Sequence, residues 1–317
     1  MLERLYNLVL RALLAIPRYP IGAMPSPENR TKQVQVDELT FDVIGEREGG
    51  FGKVWFLRRP SGAPFHVVYG DQCAVKTFKA EEDVDQALIE QELGNWVSLR
   101  DPRIARLIKI SRLNFELAAL MEMMPGSLAD YLRRYRRLDP KLVKTVLLDV
   151  LKGLNYAYRE RRLVHLDLKP GNLLLISADS AHVQITDWGI SRIAATMGTW
   201  KQLGGSDKES AHHAIEMTRY AAGTIPYMGP ERFSGSWTIG PAADVFSLAV
   251  IALELMTGQL PWTDHSIIMS LEYFERAKYL LQKMGADFRS LMLSMLDPDP
   301  VRRPQDYVAL ISALEKI

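Results

Sequence analysis

The sequence predicts an α+β fold of two unequal parts, a small β-rich N-terminal part followed by a larger α-helical one. Three observations carry that expectation. Residues 36–79 alternate short β-branched or aromatic runs with Gly and Pro turns. From residue 127 onward, apolar residues recur at helical spacing. A chain of 317 residues, 47% apolar and 24% charged, has the composition of a globular protein and the length for about two units.

Taken in order, Leu39–Ile44, Lys53–Leu57 and Cys73–Phe78 read as strands. Residues 81–99 read as a helix, with acidic residues in the first turn and Leu88, Trp96 and Leu99 on one side. Ala105–Ile110 and Phe115–Met121 return to strand character. Helical patterns then run over 141–159, 242–257, 290–296 and 306–315. The segment RRYRR (Arg133–Arg137) is the one dense basic run. It reads as a solvated helix face, with a docking patch for an acidic partner as the alternative.

Lys+Arg 39 against Asp+Glu 38 leaves a net charge of +1, which gives no electrostatic reason to expect a nucleic-acid partner. The single cysteine, Cys73, excludes an internal disulfide and Cys-rich zinc modules, and fits a reducing compartment. No stretch approaches the 18 or so uncharged apolar residues of a membrane span. Within residues 1–16, Leu2, Leu5, Tyr6, Val9, Leu13 and Ile16 fall near helical spacing. This helix is expected to dock on the body, to contact a membrane surface or partner, or to be an uncleaved targeting segment. Pro17, Pro20, Pro25 and Pro27 then mark a linker, so residues 1–35 form an N-terminal appendage.

The chemistry begins with Ile44-Gly45-Glu46-Arg47-Glu48-Gly49-Gly50-Phe51-Gly52-Lys53-Val54, set between two strand-like runs. Glycines there let backbone N–H groups approach phosphates, and the flanking strands make a hairpin lid. One strand later, Ala74-Val75-Lys76 ends an apolar run on a lysine that could reach those phosphates. The decisive segment is His165-Leu166-Asp167-Leu168-Lys169-Pro170-Gly171-Asn172, followed by Asp187-Trp188-Gly189 after a strand-like run at Val183–Thr186. Phosphoryl transfer needs a carboxylate to orient the hydroxyl, oxygen ligands for a divalent cation, and a cation against the γ-phosphate. Asp167, Asn172, Asp187 and Lys169 supply that set.

At these residues the chain resembles the eukaryotic-type serine/threonine protein kinase family, over about residues 37–317. Further motifs fall in family order: Gly223-Thr224-Ile225-Pro226-Tyr227-Met228-Gly229-Pro230-Glu231, Asp244-Val245-Phe246-Ser247-Leu248, and Asp299-Pro300-Val301-Arg302-Arg303-Pro304. The resemblance implies a bilobal kinase fold, with an N-lobe and hinge over 36–124 and a C-lobe over 125–317. It implies that Gly45, Gly49, Gly50, Phe51 and Gly52 belong to the phosphate loop, and that Val54, Ala74 and Leu174 enclose adenine. Met121 would stand as gatekeeper, with hinge groups from Glu122 and Met124. Lys76 would hold the α/β-phosphates and pair with Glu92, which lies ten residues before Pro102; Glu90 is the alternative. Asp167 would be the catalytic aspartate, Lys169 would contact the γ-phosphate, and Asn172 and Asp187 would bind the metal. Glu231 and Arg303 would form a buried ion pair, and Asp244 would tether the catalytic loop. Thr224 in Gly-Thr-x-x-Tyr and Lys169 match the family's pattern for serine and threonine acceptors.

The implied activity is transfer of the ATP γ-phosphate to protein Ser or Thr hydroxyls, with Mg²⁺ or Mn²⁺ as metal and self-phosphorylation as an expected corollary. A pseudokinase scaffold and a small-molecule phosphotransferase are the competing readings. The expected setting is cytoplasmic, in a bacterium or in a host cytosol to which it is delivered. The sequence also departs from the family. Arg47 stands where the loop's first glycine is usual, unless Gly45 serves; Leu166 replaces an arginine, Trp188 a phenylalanine and Gly229 an alanine. The hinge at Met124-Pro125-Gly126-Ser127 is one residue short. Residues 198–216, with His212 and His213, read as an insertion in a long span between Asp187 and Glu231.

Overall fold

The computed structural model describes residues 32–49, 52–62, 70–78, 86–177, 180–188, 225–234, 240–262 and 272–317. The expected N-terminal helix, the proline-rich linker and the 198–216 insertion lie outside these residues, as do Gly50, Phe51, Gly189, Gly223 and Thr224.

Six strands form one antiparallel sheet: β1 (Gln33–Val36), β2 (Leu39–Gly49), β3 (Gly52–Arg58), β4 (Gln72–Phe78), β5 (Leu107–Leu113) and β6 (Glu116–Glu122). Their order is β1-β2-β3-β4-β6-β5, and the Val36–Leu113 pairing closes them into a barrel. Period-2 alternation divides β4 between two tasks. Cys73 and Val75 point into a barrel core with Val34, Val36, Phe41, Leu57, Leu113, Ala118 and Leu120. Ala74, Lys76 and Phe78 point the other way, toward the rest of the molecule. Burial on both faces explains why Cys73–Val75 within β4 reads as a continuous apolar run.

Helix α1 (Gln86–Val97) buries Leu93 and Trp96, and the Trp96 indole donates to the Ala105 carbonyl at 2.9 Å. The larger part is built on α2 (Leu128–Tyr135), α3 (Pro140–Arg161) and α5 (Pro241–Thr257), with the one-turn helix α4 (Glu231–Ser234) just before α5. Helices α6 (Glu272–Leu281), α7 (Ala286–Met295) and α8 (Tyr307–Lys316) pack around them. Helix α3 starts as its sequence dictates, with Asp139 accepting the Lys141 N–H and Pro140 in the first turn. It ends at Arg162 in the left-handed region. Helix α5 is buried on every side and is the axis of the large lobe.

A two-stranded ribbon, β7 (Leu173–Leu175) with β8 (Val183–Ile185), lies between the two parts. Gly153 of α3 is what lets it approach, since a Cβ there would stand 2.9 Å from Ile185 Cδ1. The sequence reading did not anticipate β1, β7, α2 as a separate element, or α6. Among the described residues, no helix is long and apolar enough to cross a membrane.

Candidate active site

A cavity of about 640 Å³ opens between the sheet and the helical part. Val54, Ala74 and Lys76 line it from the sheet, Met121, Glu122 and Met124 from the connection that follows β6, and Leu174 from β7. Asp167, Lys169, Asn172 and Asp187 line it from the segment around the β7–β8 ribbon. These eleven residues, scattered from 54 to 187, are the ones sequence reasoning had grouped, and the fold brings them to one wall-to-wall space.

The segment 165–172 owes its shape to buried bonds. Asp244, the first-turn acid of α5, accepts the His165 and Leu166 N–H groups, both at 2.7 Å. The tether expected of Asp244 therefore forms. Complete burial pushes its carboxyl above the ordinary range, against the pull of His165, the two backbone donors and Arg232. Leu166 sits in the left-handed region at φ 66°, an unusual place for a branched residue. Its N–H goes to Asp244 and its carbonyl takes the Arg232 guanidinium, so the strain is held from both sides. The His165 ring meets the Thr186 carbonyl at 2.8 Å and the Asp167 N–H at 3.3 Å, a pattern that the Nε2–H tautomer satisfies. Trp188 packs edge-on against that ring, 5.0 Å between centroids.

Asp167 is nearly buried and sits between two donors. Lys169 Nζ donates to Asp167 Oδ2 at 2.7 Å, and the Asn172 amide donates to the Asp167 carbonyl at 2.8 Å and to Oδ2 at 3.1 Å. With its amide nitrogen so engaged, Asn172 has its side-chain oxygen left as an acceptor. Asp187, at φ 67°, carries the second oxygen set. An amide oxygen and a carboxylate are hard donors suited to a small divalent cation that takes its remaining ligands from phosphates and water. Among the described residues, no cluster of three or more His, Cys, Asp or Glu exists that could hold a metal by protein ligands alone. The residues present fit a metal that arrives with a phosphate ligand.

The structure corrects the sequence reading at two points. Lys76 pairs with Asp187 at 2.7 Å and not with Glu92. Glu92 is buried in α1, next to Leu93 in the core, and Glu90 is exposed. Gly45 is not at the cavity: it lies opposite Phe56 beyond an irregularity in the β2–β3 register between Val43 and Gly45. Gly49 faces Gly52 across the same ladder. Gly52 is irreplaceable by geometry, because a Cβ there would fall 1.9 Å from the Thr77 carbonyl oxygen.

Arg47 does not hang free over the cavity. It makes a two-pronged ion pair with Asp130 of α2, at 2.9 and 3.3 Å, joining β2 to the large lobe across the cavity mouth. Asp130 also accepts the Ser127 N–H (2.9 Å) and hydroxyl (2.8 Å), which closes a capping box at the start of α2. Burial alone would push Asp130 up, but the Ser127 donors and Arg47 outweigh it and hold the carboxyl below the usual range. Ser127, Tyr131, Arg133, Arg134, Tyr135 and Thr186 are also among the lining residues and were not anticipated there. The capping pattern Ser-x-x-Asp at 127–130 could have located α2, but the Arg47 partner, 83 residues away in sequence, left no local trace.

Farther from the cavity, Arg303 and Glu231 form the expected buried pair with two contacts, at 2.8 and 2.7 Å. Arg303 stacks over Phe246 at 4.7 Å. At Gly229 a Cβ would stand 2.4 Å from Glu231 Oε2, so an alanine there would require the Glu231 carboxylate to shift. Tyr227 donates to Glu254 at 2.7 Å, and Ser247 donates to the Tyr227 carbonyl at 2.7 Å, which fixes the segment before α4 against α5.

A two-lobed fold with a lysine in its sheet, an Asp-x-Lys-x-x-Asn loop and a following aspartate defines a nucleotide-dependent phosphotransferase architecture. Residues 43–312 match the protein kinase domain, and the chain belongs to that family. It is 31% identical over 244 residues to mitogen-activated protein kinase kinase 1 of Arabidopsis thaliana, covering 76% of this chain and 61% of that one. To serine/threonine-protein kinase VIK of the same plant it is 26% identical over 314 residues, covering 92% and 64%. A carbon catabolite-derepressing protein kinase of Candida glabrata is 28% identical over 261 residues, covering 81% and 38%. The chain thus spans less than two thirds of the length of each of these relatives.

Proposed function

We propose that this protein is an ATP-dependent serine/threonine protein kinase that uses Mg²⁺. One observation carries the reading: Lys76, Asp167, Lys169, Asn172 and Asp187 line a single cavity, with Asp167 held by Lys169 and Asn172. In this reading adenine lies between Val54 and Ala74 above and Leu174 below. Lys76 neutralises the inner phosphates. Asn172 and Asp187 would hold the metal, which supplies charge neutralisation across the phosphates when bound.

Asp167 orients the substrate hydroxyl and takes its proton as the oxygen bonds to the γ-phosphorus and the bond to the β-phosphate oxygen breaks, releasing ADP. Lys169 stands 2.7 Å from Asp167, close enough to meet negative charge on the transferred group. The Lys76–Asp187 ion pair keeps both charges compensated while neither holds a ligand. A serine or threonine acceptor is favoured by Lys169, which matches the family's choice for those hydroxyls. The test is incubation with labelled ATP and Mg²⁺, followed by mass spectrometry of the phosphorylated residues. Phosphoserine or phosphothreonine is expected; ATP hydrolysis without any phosphorylated protein, or phosphotyrosine alone, would refute the assignment.

A further inference from the structure

The basic run noted in the sequence has a defined place in the fold. Helix α2 and the turn after it carry Arg133, Arg134, Arg136 and Arg137 on exposed positions, and Arg133 and Arg134 line the same cavity as Asp167 and Lys169. The one acid within α2, Asp130, is already taken by Ser127, Arg47 and Arg133, and Asp139 just past the turn caps α3 through the Lys141 N–H. Among the described residues no carboxylate pairs with Arg134, Arg136 or Arg137.

This face is also held in shape. Arg134 lies over the Tyr135 ring at 5.4 Å, and Tyr135 packs on the buried Tyr131 with centroids 4.7 Å apart. The following turn is seated on Gly258, where a Cβ would stand 2.6 Å from the Arg136 carbonyl oxygen. Its Arg136 N–H bonds to the Leu132 carbonyl at 2.9 Å, and the Leu138 N–H to the Leu255 carbonyl at 2.7 Å. Cations fixed at the mouth of a reaction cleft, with their charge uncompensated by neighbours, select a negatively charged ligand, because like charges are repelled and neutral ones gain nothing.

We propose that this arginine face makes the enzyme selective for protein substrates with Asp or Glu residues flanking the acceptor hydroxyl. The proposal rests on the kinase reading above. A second basic group, Arg159 and Arg161 at the end of α3, is exposed and does not line the cavity, so it provides a charge-matched control.

The experiment compares a Ser/Thr peptide with acidic flanks to one with the matching Gln and Asn flanks, on wild type, R134Q/R137Q and R159Q/R161Q. Wild type should favour the acidic peptide by about tenfold in kcat/KM through KM, and added salt should erode the preference. R134Q/R137Q should lose most of it, and R159Q/R161Q should retain it. Equal use of both peptides by wild type, or an equal loss in the control, would overturn the proposal. So would binding of anionic lipid vesicles that R134Q/R137Q abolishes while the peptide preference stays intact. Anisotropy of a labelled acidic peptide reads the same contrast without catalysis. Absence of transfer to any protein or peptide, with peptide binding intact, would sink the kinase reading and leave the acidic selectivity standing.

Discussion

The two sides of the cleft are built on opposite principles. The segment 165–172 is tied from below by Asp244, from the side by Arg232, and from within by Asn172 and His165, with nearly all of these bonds out of water. The β2–β3 hairpin above it is held by strand ladders, its own and those to β1 and β4, and its Arg47–Asp130 pair to the large lobe is partly exposed. Hydrogen bonds in a dry interior cannot be exchanged for water cheaply, whereas an exposed pair can open at little cost. Atoms that must meet a reacting hydroxyl within a fraction of an ångström lie on the first kind of support. The cover that must lift for a nucleotide lies on the second.

The largest effect should come from cutting the deepest support. Asp244→Ala leaves two buried N–H groups without acceptors, which should destabilise the fold by roughly 2–5 kcal/mol and remove activity with it. Chemical denaturation of wild type and variant measures this. Asp244→Asn gives a pH test. The folded-state pKa of Asp244 is raised, so its favourable contribution is present below the unfolded pKa and fades as pH rises through the folded one. The stability gap between wild type and Asp244→Asn should therefore narrow toward alkaline pH. A gap that widens instead would mean the carboxylate is favoured over its protonated form.

Asp167→Ala separates chemistry from support. The residue orients the acceptor and holds no phosphate, so transfer should fall at least about a hundredfold while nucleotide affinity and melting temperature change little. Single-turnover transfer and nucleotide titration together decide it. Wild-type transfer by the variant would remove Asp167 from the role given to it.

Cys73 probes the barrel on the lid side. It is fully buried in the sheet core, and desolvation pushes its thiol up to about 12. Thiolate is the reactive form, so iodoacetamide at neutral pH should leave the native protein unlabelled and modify it only on unfolding. Fast labelling of the native state would show that the barrel opens far more readily than the loop beneath it.

How much of this contrast could be read in advance depends on how local each signal is. The strands were legible from their period, and the Asp-x-Lys-x-x-Asn loop, the Glu231–Arg303 pair and the Asp244 tether from motifs that the chain shares with the kinase family. The pairing of Lys76 with Asp187 was not, since the two residues lie 111 positions apart and no local pattern joins them. The Arg47–Asp130 pair was invisible for the same reason. Helix α6 escaped because Glu272–Leu281 mixes charge into its apolar spacing, and only Tyr273, Ala277 and Leu281 are buried.

The smallest effect belongs to that exposed pair, and it sets the scale of the whole comparison. Arg47 and Asp130 keep 45% and 26% of their side-chain surface in solvent, so their attraction is screened and is of the order of 1 kcal/mol or less. Arg47→Gly should thus alter the KM for ATP by no more than about fivefold, with kcat nearly constant, because the hairpin covers phosphates and moves no proton. The direction should be a rise in KM, since the pair draws the lid toward the large lobe. Asp130, whose carboxyl is held below the usual range, keeps its charge at any pH near neutral; the pair weakens only as pH falls through that lowered value. The KM difference between wild type and Arg47→Gly should therefore be flat from about pH 6 to 8 and should shrink with added salt. A drop in kcat matching that seen for Asp167→Ala would show that the lid is part of the chemistry after all, and that the two sides of the cleft do not divide the work in this way.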